Sequence, residues 1–171
     1  MHFVVYCSFC LAAPSLKWGK DNESRARQMY EAITGSTVTP TGLTLHQQYP
    51  YLGATFDGLV NDCIVVEFKC PFNGRDRSAA EYQHIASVNG KLVLKKTSPY
   101  YCQVQREMAM KKVRLCHFVV WTTVDTALIE VEFDAEFWEQ YLLPKRVSFY
   151  RTHVAPRYDM SNVTTLHDIE Q

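Results

Sequence analysis

The segment that most constrains this chain is Cys63-Ile64-Val65-Val66-Glu67-Phe68-Lys69-Cys70, stopped by Pro71. A short apolar run rich in β-branched residues and closed by proline reads as a buried strand. Side chains on a strand alternate faces, so Glu67 and Lys69 point one way and Phe68 the other, toward a core. Asp57-Gly58 lies upstream, and Asn61-Asp62 between the two is a hairpin-turn signal. That hairpin brings Asp57 across the ladder toward Glu67. Two carboxylates and an amine at a strand end can hold a divalent cation and manage a water beside it. Asp-Gly is also a common turn, and E-x-K on a strand a common exposed pair. Weight comes from the apolar surroundings, which place both charges inside a core strand.

The rest of the chain supplies further groups. Asp21 or Asn22 is expected to cap a helix running to about Thr34, with Gly35 ending it. Ala26, Tyr30 and Ile33 share one face, and Glu23 falls on it too. A carboxylate on an inward face is costly unless it is paired or bound to metal. Leu43 to Tyr49 and Leu52 to Phe56 read as strands. Arg75 to Val88 is polar and partly helical, and Asn89-Gly90 turns between two extended pieces. Ser98-Pro99 is a strong helix start, serine as cap and proline in the first turn, for a helix to about Lys112 that carries Gln103. Arg114 to Thr123 and Ala127 to Phe133 are strands. Asp134 caps a closing helix that Pro144 ends or kinks, and after Tyr150 a polar, poorly ordered tail is expected. The order is helix, three strands, helix, two strands, helix. It predicts an α/β fold with a central mixed β-sheet flanked by α-helices.

Composition bounds the function. The 171 residues carry 18 Lys and Arg against 18 Asp and Glu, which weighs mildly against a simple electrostatic DNA binder and leaves room for an enzyme with a local positive groove. Cys7 and Cys10 form a lone C-x-x-C with no second pair to complete a zinc site. Cys63, Cys70, Cys102 and Cys116 read as small core residues. This usage predicts an intracellular protein, nuclear if eukaryotic and otherwise cytoplasmic. His2, His46, His84, His117, His153 and His167 are scattered and read as satisfied or surface residues. Met1 to Ala13 is apolar but lacks a basic n-region, so it reads as a start-truncated segment, not a signal peptide. No stretch reaches transmembrane length, so no membrane partner is expected.

Several blocks together resemble a known family. Trp18-Gly19-Lys20 with Glu23 and Ala26-Arg27 is one. Ala54-Thr55-Phe56-Asp57-Gly58-Leu59 is the next, then Glu67-Phe68-Lys69-Cys70-Pro71-Phe72, then Tyr100 with Gln103-Val104-Gln105. Their order and spacing are similar to those of lambda exonuclease and the YqaJ viral recombinase domain, within the PD-(D/E)XK nuclease superfamily. The resemblance covers about Lys17 to Trp121. It implies a restriction-endonuclease-like fold and a Mg2+-dependent exonuclease on double-stranded DNA, 5′→3′ and linked to recombination. Mn2+ is a possible substitute.

By the same resemblance Asp57, Glu67 and the Phe68 carbonyl ligate the metal, and Glu23 contributes to a second position. Lys69 orients the attacking water or stabilises the phosphate, and Gln103 helps hold Lys69 and the water. Arg75, Arg77, Thr55 and Gln105 are candidate DNA contacts. A ring-shaped trimer and a single-strand annealing protein are the implied partners.

The chain departs from the pattern at Phe56, where the family has proline. It departs again at Met1 to Leu16, which contains no arginine where the family has a 5′-phosphate pocket. The expected organisation is an atypical or truncated segment 1–16, a nuclease domain 17–150 and a polar tail 151–171. Three rivals stand beside it: a catalytically dead DNA-binding remnant, a structure-specific endonuclease of the same superfamily, and a small-molecule metalloenzyme. No phosphate-cradling glycine loop favours the last.

Overall fold

The computed structural model describes residues 13–158. The Cys7/Cys10 pair, His2 and His167 lie outside them. The fold is mixed α/β, as the element order predicts. Helix α1 (Pro14–Thr34) is followed by strands β1 (Thr44–Leu45), β2 (Gly53–Ala54), β3 (Gly58–Val60) and β4 (Ile64–Lys69). Then come β5 (Ile85–Val88), β6 (Lys91–Leu94), helix α2 (Pro99–Lys111), and strands β7 (Leu115–Trp121) and β8 (Thr126–Glu132). A helical segment from Phe137 through α3 (Leu143–Phe149) continues to Arg157.

The central sheet has the order β3-β4-β7-β8. β3 is antiparallel to β4, β4 parallel to β7, and β7 antiparallel to β8. The parallel β4–β7 pair needs a crossover, and α2 lies within it. Because β4 is central, both its faces are covered. Val66 and Phe68 pack with Ala26 and Tyr30 of α1 and with Val119. Val65 packs on the opposite side with Val104 and Met108 of α2 and with Phe118. By the two-residue period, Glu67 and Lys69 share the α2 side with Val65.

The tight β3–β4 turn is built by Asn61 and Asp62, both at positive φ (51° and 57°). This is the primed-turn geometry that matches strand twist. The outer edge of β3 is covered by a bridge, Thr39 N–H to the Leu59 carbonyl at 2.8 Å and Leu59 N–H to the Thr39 carbonyl at 2.9 Å. Gly58 sits under this cover. A Cβ there would run into Val38 Cγ1 and come within 3.0 Å of the Thr39 carbonyl. Gly58→Ala is therefore expected to lose roughly 1–3 kcal/mol by overpacking. Urea unfolding of the variant checks this, and an unchanged midpoint would show that the cover yields freely.

Several sequence expectations are corrected. α1 begins at Pro14, not at Asp21 or Asn22. Proline in the first turn pre-sets the helix, and Asn22 is buried inside it, its Nδ2 donating to the Trp18 carbonyl at 2.9 Å. Ile33 is exposed, so the inward face is Asn22, Ala26 and Tyr30. The two strands expected over Leu43–Tyr49 and Leu52–Phe56 shrink to the two-residue pair β1 and β2, while β3 forms where only a turn was expected. Cys63 is exposed, not in the core. Pro144 does not end the last helix, because the wide turns of Phe137–Leu142 just before it absorb the missing N–H. Residues 150–157 remain helical, with the Tyr150 ring stacked on Tyr51 at 3.8 Å between centroids. The boundaries expected at 16/17 and 150/151 both fall inside helical segments. Among the described residues, no helix is long and apolar enough to cross a membrane.

Candidate active site

β3 pairs with β4 only as far as Gly58 opposite Val66. One step further along β4 the edge has no strand partner, and a side chain takes over. The Asp57 carboxylate accepts a hydrogen bond from the Phe68 backbone N–H, Oδ2 to N, at 2.7 Å. Asp57 is thereby fixed beside the end of β4. Arg27 of α1 holds it from behind, donating from Nη2 to the Asp57 carbonyl at 2.9 Å while lying over the Phe68 ring at 5.9 Å. The resemblance blocks include Arg27, but its role as a clamp on Asp57 was not foreseen. Its spacing four residues after Glu23 on a helix was the available signal.

Glu67 is buried, with 3% of its surface exposed. Its Oε1 accepts hydrogen bonds from Lys69 Nζ and from Gln103 Nε2, the latter at 2.6 Å. The two-residue period of β4 and the face of α2 bring Glu67, Lys69 and Gln103 together, but Gln103 bonds Glu67 and Glu107, not the expected Lys69. Lys69 also lies over the Tyr100 ring, 4.8 Å from its centroid. Glu23 stands at the margin of α1, half-buried, with its Oε1 4.0 Å from Arg27 Nη2. Burial and then the Asp57 charge push its carboxyl above the usual range.

The charges explain one another. Burial raises the Glu67 carboxyl above its usual range, opposed by Lys69 and reinforced by Asp57. Burial likewise raises Asp57, opposed by the Phe68 N–H. For Lys69, burial favours the neutral amine, but Glu67 and Asp57 outweigh it and hold the ammonium above its ordinary pKa. The two carboxylates thus favour the charged form of Lys69. Cys70, next in sequence, has its thiol pushed up to about 12, by burial first and then by Glu23 and Asp57. It is not a thiolate ligand.

α2 adds a residue that the sequence did not reveal. Glu107 is wholly buried, and its Oε1 accepts from Gln103 Nε2 at 2.9 Å. Burial, then the neighbouring Glu67, pushes its carboxyl up to about 9. Its four-residue spacing from Gln103 puts both on one helix face, the only hint available beforehand.

The candidate DNA contacts separate. Arg77 is exposed and lines a cleft of about 620 Å3 with Phe72, Tyr82 and Tyr100, which opens beside Lys69. Thr55 is exposed. Arg75 is engaged within the fold instead: its guanidinium lies 4.4 Å from the Phe72 ring centroid and donates to the Phe72 carbonyl at 2.9 Å. Gln105 corrects the expectation outright, being wholly buried. Its Nε2 donates to the Glu132 carbonyl and its Oε1 accepts from the Asp134 N–H, joining β8 to the last helix.

Among the described residues, no cluster of three or more His, Cys, Asp and Glu side chains forms a ready-made cage. The donor set nevertheless fits a hard cation. Among the described residues, Asp57 and Glu67 each bond the protein through one oxygen, Oδ2 and Oε1. That leaves Asp57 Oδ1 and Glu67 Oε2 for an oxygen-preferring ion such as Mg2+. Two carboxyls raised by burial are also what an added positive charge would relieve.

Three comparisons bear on this arrangement. The sequence model of the YqaJ-like viral recombinase domain matches residues 7–117. No curated protein matches the sequence. Among solved structures, the alkaline exonuclease LHK-Exo from Laribacter hongkongensis aligns at 24% identity and TM-score 0.64, over 85% of this chain and 71% of its own. LHK-Exo in complex with dAMP aligns at 23% and 0.63, over 82% and 74%. A phage-related exonuclease from Haemophilus somnus 129PT aligns at 15% and 0.55, over 77% and 66%. At such identities these structures share the fold. The sequence model, spanning more than half of the chain and every residue of the site, carries the stronger conclusion: this chain belongs to the YqaJ-like viral recombinase domain family.

Proposed function

We propose that this chain is a Mg2+-dependent deoxyribonuclease that hydrolyses phosphodiester bonds of double-stranded DNA from an end, in the 5′→3′ direction, with Mn2+ as a substitute. The observation that carries the reading is the meeting of Asp57, Glu67, charged Lys69 and Gln103 at one end of a buried strand. Solved structures that share the fold include an alkaline exonuclease, also in complex with dAMP.

Asp57, Glu67 and the Phe68 carbonyl would hold the metal, with Glu23 toward a second position. The ion's contribution is to acidify water and offset charge on the phosphate and leaving oxygen. Lys69 orients the attacking water and stabilises phosphate charge as an ammonium. Gln103 fixes Glu67 and Lys69 relative to each other. Arg77 and Thr55, exposed near this end, meet the phosphate backbone, where positive and hydroxyl groups give position without sequence choice. The wider assignment is recombination inside the cell, in the cytoplasm or a eukaryotic nucleus, with the chain as a ring trimer beside a single-strand annealing protein.

The test is nucleotide release from end-labelled linear duplex DNA, with Mg2+ or EDTA. Release in Mg2+ alone is expected, from the 5′-labelled end and not from a closed circle. Cutting of the circle would make the protein an endonuclease. No cutting by folded protein would make it a binding remnant. Sedimentation decides the ring, and a monomer would overturn it.

A further inference from the structure

Glu107 has no evident structural reason to be an acid. It is wholly buried on α2, among the core residues of that side of the sheet. It forms no salt bridge: the neighbouring Arg106 leaves its own Nε without a partner among the described residues, as Glu107 does its Oε2. A buried acid without an ion pair is costly. Its one hydrogen bond, at 2.9 Å, goes to Gln103 Nε2. The same nitrogen donates to Glu67 Oε1 at 2.6 Å.

An amide has two N–H donors on one atom and an acceptor oxygen on the other. Here one donor is used by Glu67 and the other by Glu107. Turning the amide over would set its oxygen against Glu67 Oε1 and would break the bond that Glu107 Oε1 accepts. The second bond therefore fixes which end of Gln103 meets Glu67 and leaves its Oε1 free to accept a hydrogen bond. Without Glu107, the amide keeps a single anchor and can rotate about its last torsion, which is broad for this side chain.

We propose that Glu107 is a positioning residue that acts through Gln103, locking its amide with the nitrogen toward Glu67 and so holding Glu67 in place for its cation. The inference rests on the nuclease reading for its consequence, but not for the clamp itself. Supporting groups one step removed from a metal ligand typically cost about 10–100-fold in activity or metal affinity when lost.

Two readouts separate the clamp from the activity. The first is NMR of the Gln103 side-chain amide in metal-free, 15N-labelled protein, identified by its loss in Gln103→Leu. The wild type and Glu107→Gln are expected to show two slowly exchanging protons, since a glutamine carbonyl can accept the same bond. Glu107→Leu is expected to speed their exchange by about 10-fold or more, as one of two bonds is lost. The second is kcat and KM on linear duplex. Glu107→Leu is expected to lower kcat by about 10–100-fold at unchanged KM, with Glu107→Gln close to wild type. Unchanged exchange and kcat in folded Glu107→Leu would overturn the proposal. So would a fall in kcat of about 10-fold or more in folded Glu107→Gln against wild type, a comparison that does not need the leucine variant to fold. If the wild type cuts no DNA, the nuclease reading fails, while the amide spectrum still decides the clamp.

Discussion

Glu67→Gln and Asp57→Asn are each expected to lower DNA cleavage by at least about 10^3-fold, equivalent to about 4 kcal/mol of transition-state stabilisation. The substitutions keep size and fold. Glutamine at 67 still offers a carbonyl oxygen to Lys69 and Gln103, and asparagine at 57 still offers one to the Phe68 N–H. What is lost is the carboxylate's negative charge, which is the part a hard cation requires. Binding of duplex in EDTA is expected to persist or tighten, since each change removes a negative charge facing phosphates. Initial rates and gel mobility, measured on the same preparations, check both halves. Cleavage within tenfold of wild type in either variant would remove that residue from the site. Loss of binding together with cleavage would point to misfolding.

The second large effect is on stability and has the opposite sign. Glu107 carries a carboxyl whose ordinary value of 4.5 is pushed up to about 9 in the fold, by burial first and then by Glu67; the Gln103 hydrogen bond, Arg106 and Lys69 oppose this. Between those values the native state holds a proton that the unfolded chain releases. Stability therefore falls as pH rises through that window, and is least affected below about pH 4.5. At about 1.4 kcal/mol per unit, the site costs on the order of 3 kcal/mol near neutrality and more toward pH 9. Glu107→Leu removes this dependence. In urea unfolding with EDTA, the variant is expected to be more stable than wild type, by a margin that widens from pH 6 to pH 9. Asp57, Glu67 and Glu23, all raised as well, leave a residual slope of the same sign in both proteins. Parallel pH profiles for the two would mean that Glu107 does not hold its proton.

The catalytic strand was legible because its period is two and its surroundings are apolar. Glu67, Lys69 and Phe68 could occupy only one arrangement once the strand was placed. Gln103 was legible because Ser98-Pro99 fixes where α2 starts, and Ser98 does cap it, accepting from the Tyr100 N–H at 3.1 Å. Gln105 was misplaced for a physical reason. Two residues along a helix is about 200° of rotation, so Gln103 and Gln105 cannot both face the substrate. Glu107 was invisible because a single acid on a helix reads as surface until its neighbours are known. Arg75 looked like a free charge because its partners are a ring three residues before it and another, Trp18, on a distant helix. The start of α1 is hidden in the sequence because Asp21 and Asn22 are cap-type residues, while Asn22 spends its amide within the helix.

The bond that Asp57 accepts from the Phe68 N–H both extends the β3–β4 pairing by a rung and fixes the carboxylate proposed to hold the metal. Competence and assembly are thus one event at this corner. An opening of the hairpin that exposes the Phe68 amide to solvent also releases the Asp57 carboxylate from the end of β4. A growing chain gains this rung only after β4 is made, and it gains Gln103 later still, when α2 follows. Until α2 is made, Glu67 lacks the bond from Gln103 that holds its Oε1.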